Sequence, residues 1–423
     1  MSNIGDLEEV VRTISLVDTH EHLEPEESRI SKPQDPISLF LTHYLSTDFL
    51  VAGLSPQDLE KLRNPRIPWE ERWPVFEEWW EYACTTGYGQ VIKVAIRELY
   101  GVAELSRSSY LRLIEKMKRR AVKGFYKWVL REMGGIEKCI LDALIPGRYD
   151  PDLFLKVVRF DDLVMIRSRE DLARVCEKVG RPVHSLEDLE EGVRSYIKRT
   201  LPRYAGVKIG LAYERSLYFE DVSRSDAEYS LKAVLASRES STGGRAPSQS
   251  EIKPLQDYLM HCVLRELEEW GKPVQVHTGI HEGLGHELPN SRPTLMINLF
   301  RKYPRLKFVL FHASYPYSME AAVLAKNYPN VYLDLCWIGA ISPTATKRIL
   351  SEWLDLVPNN KVMVFGGDYI FVEGSYGESR IVRGVVAEVL REKVEGGRWS
   401  LDEALRVATR ILRENAARLF GIS

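Results

Sequence analysis

Eight short runs rich in Val, Ile, Leu and Phe recur along the chain, and stretches of helical periodicity separate them. Neighbouring parallel strands need crossovers of a dozen or more residues, which helices supply, and a sheet so covered is apolar on both faces. The runs read as strands at Ser15–Thr19, Lys138–Leu144, Leu155–Phe160, Gly206–Leu211, Val274–His277, Lys307–His312, Val331–Leu335 and Lys361–Phe365, after a short helix near Asp6–Thr13. Eight is the number at which a parallel sheet closes around a packed interior. The expected fold is therefore α/β, a (β/α)8 TIM-like barrel with a large helical insertion after strand 1.

The insertion follows from loop length. Residues 1–22 hold strand 1 with its preceding helix, residues 136–423 hold the remainder of the barrel, and residues 23–135 lie between them. A βα connection normally takes a handful of residues, so this stretch must fold on its own account. It is helical in period and rich in aromatics, among them Trp69, Trp73, Trp79, Trp80 and the segment Thr86-Gly87-Tyr88-Gly89. Leaving the C-terminal end of strand 1, it is expected to cover the face where barrel enzymes do chemistry. Most of its tryptophans read as filling the insertion's own core. Ser240–Ser250, rich in Ser and Gly, reads as a flexible loop after strand 4.

Charge and cysteine content narrow the partners. With 58 basic and 60 acidic residues in 423, the formal charge of −2 provides no field for nucleic acid or an anionic membrane, which leaves a small-molecule substrate. Five cysteines, at positions 84, 139, 176, 262 and 336, never form a Cys-x-x-Cys pair and read as reduced thiols of a cytoplasmic protein. No apolar stretch approaches the roughly 18 residues of a membrane span, and the N-terminus lacks a secretory pattern. A homo-oligomer is compatible with these residues.

The chemistry gathers where strands end. Strand 1 closes on Asp18-Thr19-His20-Glu21-His22, and the period-2 geometry of a strand sends both imidazoles to one side, about 7 Å apart along the chain. Paired imidazoles suit a borderline divalent cation such as Zn²⁺, with Mn²⁺ and Fe²⁺ as alternatives. Three more apolar runs finish on groups able to bind metal or move a proton: His277 after strand 5, His312 after strand 6, and Asp368 after the Gly366-Gly367 pair of strand 8. Asp18 reads as a supporting residue. Arg159, at the end of strand 3, is a candidate for an anionic substrate group, and so is Lys208 on strand 4. The loop Thr278–Asn290 places His281 among candidate substrate contacts, with Tyr315 another. His43, His184 and His261 receive no role.

This set, Asp18-Thr-His20-Glu-His22 with Lys208, His277, His312 and Gly-Gly-Asp368-Tyr, resembles the amidohydrolase superfamily, in particular its amidohydrolase-2 branch of hydrolases and nonoxidative decarboxylases. The ending Ile411-Leu-Arg-Glu-Asn415-Ala-Ala-Arg-Leu-Phe420-Gly is also similar. The resemblance implies a metal-dependent hydrolase in which a metal-activated water attacks a C–N or C–O bond of a small, carboxylate-bearing substrate. His20, His22 and Asp368 would be ligands, with His277 a further ligand or close neighbour; Asp368 would accept the water's proton, and His312 would polarise the carbonyl. In binuclear members a strand-4 lysine is carboxylated and bridges two metals, whereas single-metal members lack that bridge, so Lys208 is either that bridge or a substrate contact; one ion is expected. The insertion's Thr86-Gly-Tyr88-Gly and Ala95-Ile-Arg97-Glu-Leu-Tyr100-Gly, with Ser379-Arg380, resemble uronate isomerases, which makes a sugar-acid isomerase the alternative and a decarboxylase the third reading.

Overall fold

A computed structural model describes residues 6–237 and 247–422. Its strands are β1 (Leu16–Glu21), β2 (Ile136–Leu141), β3 (Phe154–Arg159), β4 (Gly206–Ile209), β5 (Pro273–Val276), β6 (Lys307–Leu310), β7 (Val331–Asp334) and β8 (Val362–Met363). They follow one another in the sheet in chain order, and each described pairing is parallel. The fold is the (β/α)8 TIM-like barrel expected from the sequence. Helix α1 spans Asp6–Thr13.

Most strands stop one to three residues earlier than the apolar runs do. Strand 2 ends at Leu141 and not at Leu144, and strand 8 at Met363 and not at Phe365. The reason differs between the two. Leu144 and Ile145 are largely exposed, so the run had left the sheet, whereas Val364 and Phe365 stay buried outside the regular ladder. Residues 240–246 of the expected loop lie outside the described residues; Gln249 and Ser250 open a helix, Gln249–Trp270, whose cap Ser248 accepts from Glu251 N–H.

The chain forms two compact units. The first takes in the described residues up to Leu155, Ile280–His286, and those from Leu333 onward. In it every residue of β1 is buried. The connection from β1 to β2 carries seven α-helices: α2 (Glu26–Ser31), α3 (Pro36–Phe40), α4 (Leu45–Ala52), α5 (Pro56–Arg63), α6 (Trp69–Ala83), α7 (Gly87–Tyr100) and α8 (Tyr110–Arg120). Caps explain several of their starts, since Asp35, Ser55 and Thr86 each accept a backbone N–H of the first turn. Trp73 is fully buried against Phe76, Tyr110 and Trp69, with ring centroids 5.5, 5.3 and 6.4 Å away. Trp79 and Trp69 are not fully buried, so the core reading suits Trp73 best.

The second unit holds Lys156–Gly279 and Glu287–Tyr332. Its ladder registers Arg159 with Lys208 and Lys208 with Gln275, which sets these three side chains in one row. All residues of β4 and β5 are buried. Helices Arg169–Val179 and Leu186–Thr200 begin with capping boxes at Ser168 and Ser185.

Trp73→Ala should lower the unfolding free energy by about 3–5 kcal/mol, the usual cost of emptying a buried aromatic site. Chemical denaturation would read it, with Tyr82→Ala on the exposed face of the same helix expected within about 0.5 kcal/mol of wild type.

Candidate metal centre

In the first unit, backbone hydrogen bonds run from Thr19 N–H to Phe365 O, from Asp368 N–H to His20 O, and from His22 N–H to Tyr369 O, at 3.0, 2.9 and 3.0 Å. They hold the end of β1 against the segment that follows β8. As a result His20 Nε2 and His22 Nε2 lie 3.5 and 3.2 Å from Asp368 Oδ1. Asp368 and His20 are buried, and His22 is partly so.

The turn that presents Asp368 tolerates only glycine. A Cβ on Gly367 would lie 2.2 Å from Glu21 Oε1, and one on Gly366 would lie 2.7 Å from both Thr19 Oγ1 and Cys336 Sγ. Asp368 itself has φ 58°, a left-handed conformation that costs a non-glycine residue free energy and is kept only where the surroundings enforce it. Tyr44 Oη, donating to Asp368 O at 2.7 Å, is one of those enforcing contacts.

His22 Nδ1 stands 3.0 Å from the Asp142 carbonyl oxygen, which can only accept. Nδ1 therefore carries a proton, and Nε2 is the ring nitrogen turned to Asp368 Oδ1. A proton on Nε2 or a cation lying against both atoms satisfies this 3.2 Å approach. Two imidazole nitrogens and a carboxylate oxygen are the donor types of a Zn²⁺, Mn²⁺ or Fe²⁺ site, so these residues fit a divalent ion. Asp142 adds a carboxylate, its ligand atom within 4.8 Å of those of His20 and His22.

Further carboxyls sit behind this cluster. Desolvation pushes Asp18 up to about 7, and burial with the neighbouring Asp18 charge pushes Glu21 well above the usual carboxylate range. The two side chains bond to each other, so the pair holds a proton between them. Asp18 Oδ1 also accepts the His20 and Gly367 N–H groups, and Glu21 Oε2 accepts that of Tyr369. Glu378, fully buried, is raised by desolvation and accepts Ala340 N–H.

The structure also brings to this cluster residues that carried no role in the sequence. His43, on the insertion, feels the charges of Asp368 and His22, and burial pulls it down to about 3, leaving a neutral ring. It stacks on Tyr44 at 3.7 Å, and Tyr44 stacks in turn with Tyr88 and Trp337 at 5.0 and 4.7 Å. Glu282, half-buried, is raised by desolvation and by Asp368. Asp142 was legible, since it stands at a strand end as Asp368 does; the over-long reading of strand 2 hid it. His43 gave no comparable signal. His281 is buried beside His286, ring centroids 5.1 Å apart.

In the second unit His277 and His312 meet, Nδ1 to Nε2, at 2.9 Å. If His277 donates from Nδ1, its Nε2 keeps a lone pair for a ligand bond; the opposite direction removes it. His312, Ala313 and Ser314 are all left-handed, at φ 59°, 49° and 51°. A bond between Thr278 Oγ1 and Ser314 Oγ, and the approach of Gly279 to the Ser314 backbone, buttress that strain. Lys208 is buried with Nζ 4.2 Å from the Phe311 ring centre. Arg159 and Asp161 both border Gly210, and Asp161 accepts Gly210 N–H at 2.8 Å. Tyr315 is half-buried, with its N–H on His312 O. His261 bonds Tyr303 and Glu220 inside its helix packing and has a structural part to play.

The chain belongs to the amidohydrolase family: the family's profile, Amidohydro_2 (Amidohydrolase), matches residues 167–422. Protein fluG of Emericella nidulans is 31% identical over 228 residues, which make up 52% of this chain and 26% of fluG, so the chain spans about a quarter of that relative's length. Among solved structures, glucuronate isomerase from Caulobacter crescentus superposes with a TM-score of 0.78 at 18% identity, over 99% of this chain and 94% of its own. A Lactobacillus casei protein described as a metal-dependent hydrolase does so with 0.66 at 16%, over 98% and 97%. At these identities the likeness concerns the fold.

Gly367→Ala should displace Glu21 and with it the Asp368 turn. Thermal unfolding should begin several degrees lower while the far-UV spectrum of the folded protein is kept, and an unchanged midpoint would contradict the close packing at Gly367.

Proposed function

We propose that this amidohydrolase-family enzyme hydrolyses a C–N or C–O bond of a small, carboxylate-bearing molecule, with His20, His22 and Asp368 holding one divalent ion. The carrying observation is the convergence of His20 Nε2 and His22 Nε2 on the Asp368 carboxylate, which together make a donor set suited to a divalent ion. Zn²⁺ is favoured, with Mn²⁺ or Fe²⁺ as alternatives. Such an ion supplies Lewis acidity and lowers the pKa of water toward about 7. Asp368 accepts the proton of the attacking water and later returns it to the leaving group. Asp142 fixes the tautomer of His22 through its carbonyl, and the Asp18–Glu21 pair holds the turn behind Asp368. His277 is assigned as a further ligand and His312 as the group that polarises the carbonyl. Lys208 or Arg159 pairs with the substrate carboxylate, and His281 and Tyr315 contact the substrate. The partner class is a small molecule; among the described residues no helix is long and apolar enough to cross a membrane.

Uronate isomerisation is the second reading, supported by the full-length likeness to a glucuronate isomerase, insertion included. Hydrolysis is preferred because the insertion's polar side chains bordering His22 are engaged within the protein. Arg63 donates to Leu41 O and Ser46 Oγ at 2.7 and 2.9 Å, Lys32 pairs with Glu24 at 2.6 Å, and Arg29 pairs with Glu373. A polyhydroxylated acid needs such groups for itself.

Elemental analysis should find about one ion per chain in wild type and a large loss in the double variant His20→Ala, His22→Ala. Asp368→Asn should fold and lose turnover by at least about a hundredfold in an amide and ester hydrolysis screen. Full activity of that variant, or uronate isomerisation as the sole reaction found, would overturn the hydrolase reading.

A further inference from the structure

A cavity of about 390 Å³ opens beside His22 in the first unit. Small-molecule sites measure about 300–1,000 Å³, so it holds a substrate group of moderate size. Its lining comes from three stretches of chain near the proposed metal ligands. Leu39 comes from the insertion, Leu144 and Ile145 follow β2 just beyond Asp142, and Ile370 and Phe371 lie two and three residues past Asp368.

The polar groups in this wall have partners of their own. Glu24 accepts from Ser28 at 2.6 Å as well as from Lys32, Ser38 Oγ accepts from Arg72 at 3.1 Å, and Arg29 donates to Gln34 at 2.7 Å besides its pair with Glu373. Most of the surface that remains to meet a ligand is hydrocarbon, beside the exposed Lys32 ammonium. Moreover Leu144 and Ile145 are 55% and 40% exposed, although both follow directly on the segment that orients His22. Apolar surface left open at a rim of this kind gains free energy when a ligand covers it.

We propose that this cavity binds an apolar side chain of the substrate, branched aliphatic or aromatic, and thereby selects amides or esters of hydrophobic carboxylic acids or amino acids. The proposal rests on the hydrolase reading for its reaction, but not for its binding. Ile370 and Phe371 set the depth of the cavity, and Leu144 and Ile145 its outer wall.

The test uses N-acetyl-L-alanine, N-acetyl-L-leucine and N-acetyl-L-phenylalanine, which share one scissile amide and one carboxylate and differ in the side chain. Calorimetric Kd and, where amine is released, KM are measured on the metal-loaded enzyme. The same is done on the double variant Leu144→Gln, Ile145→Gln, whose exposed positions tolerate polar residues. Both constants should fall at least about tenfold from the alanine to the leucine compound, since each buried methylene discriminates by roughly that factor or more. The variant should lose most of this gradient. A gradient in Kd without amine release supports the cavity and removes the hydrolase reading. Turnover or binding without a gradient, a gradient intact in the variant, or no binding of any of the three overturns the proposal.

Discussion

The candidate centre depends on one contact: the backbone of β1 is hydrogen bonded to the segment after β8. His20 receives Asp368 N–H on its carbonyl, while Thr19 before it and His22 two residues after it donate back to Phe365 and Tyr369. This alternation aligns His20 and His22 with Asp368, which lies at the far end of the sequence. It works only because Gly366 and Gly367 let the returning chain pass over Thr19 and Glu21 at distances no Cβ permits. The left-handed backbone at Asp368 then turns its carboxylate back to the two imidazoles. Glycine pair, strained aspartate and alternating histidines thus form one geometric device.

Burying so much negative charge is costly, and the structure distributes the cost. Asp18 and Glu21 hold a proton between them and accept three backbone N–H groups, those of His20, Gly367 and Tyr369. Glu378 is driven toward its neutral form by desolvation and accepts the Ala340 N–H. Asp368 is the carboxylate that faces the two ring nitrogens, so it is where a cation would be held. A divalent ion would therefore stabilise the fold as well as enable chemistry, because binding free energy gained only in the native state adds to its stability.

The strands were legible because each apolar run must be buried on both faces, and the site was partly legible because those runs finish on His or Asp. The run carrying His312 shows the limit of that argument. It reads as strand through His312, yet the ladder stops at Leu310 and His312 adopts φ 59°, a turn that the residue pattern does not announce. Glu21 was passed over for a related reason. Period 2 sends it away from His20 and His22, and only the approach of Gly367 makes that opposite side part of the centre. His43 and Tyr44 lie in a helical insertion whose periodicity shows that helices form, but not where they dock. Their place beside Asp368 is a product of tertiary packing alone.

The scaffold and its lining point in different directions, and the lining has the stronger claim. A full-length likeness at 18% identity records shared architecture, which one barrel can lend to many reactions. What selects a substrate is the surface within reach of the reacting groups, and here that surface has Ile370 and Phe371 directly after the aspartate turn. The cations that line the same cavity, Arg63, Lys32 and Arg29, have internal partners in backbone oxygens, Ser46, Glu24 and Glu373. A sugar acid would have to share these cations with their internal partners, which already take part of their hydrogen-bonding capacity. To bind a hydrocarbon group, the protein has only to lose water from the cavity, a change the hydrophobic effect favours without any rearrangement of the wall.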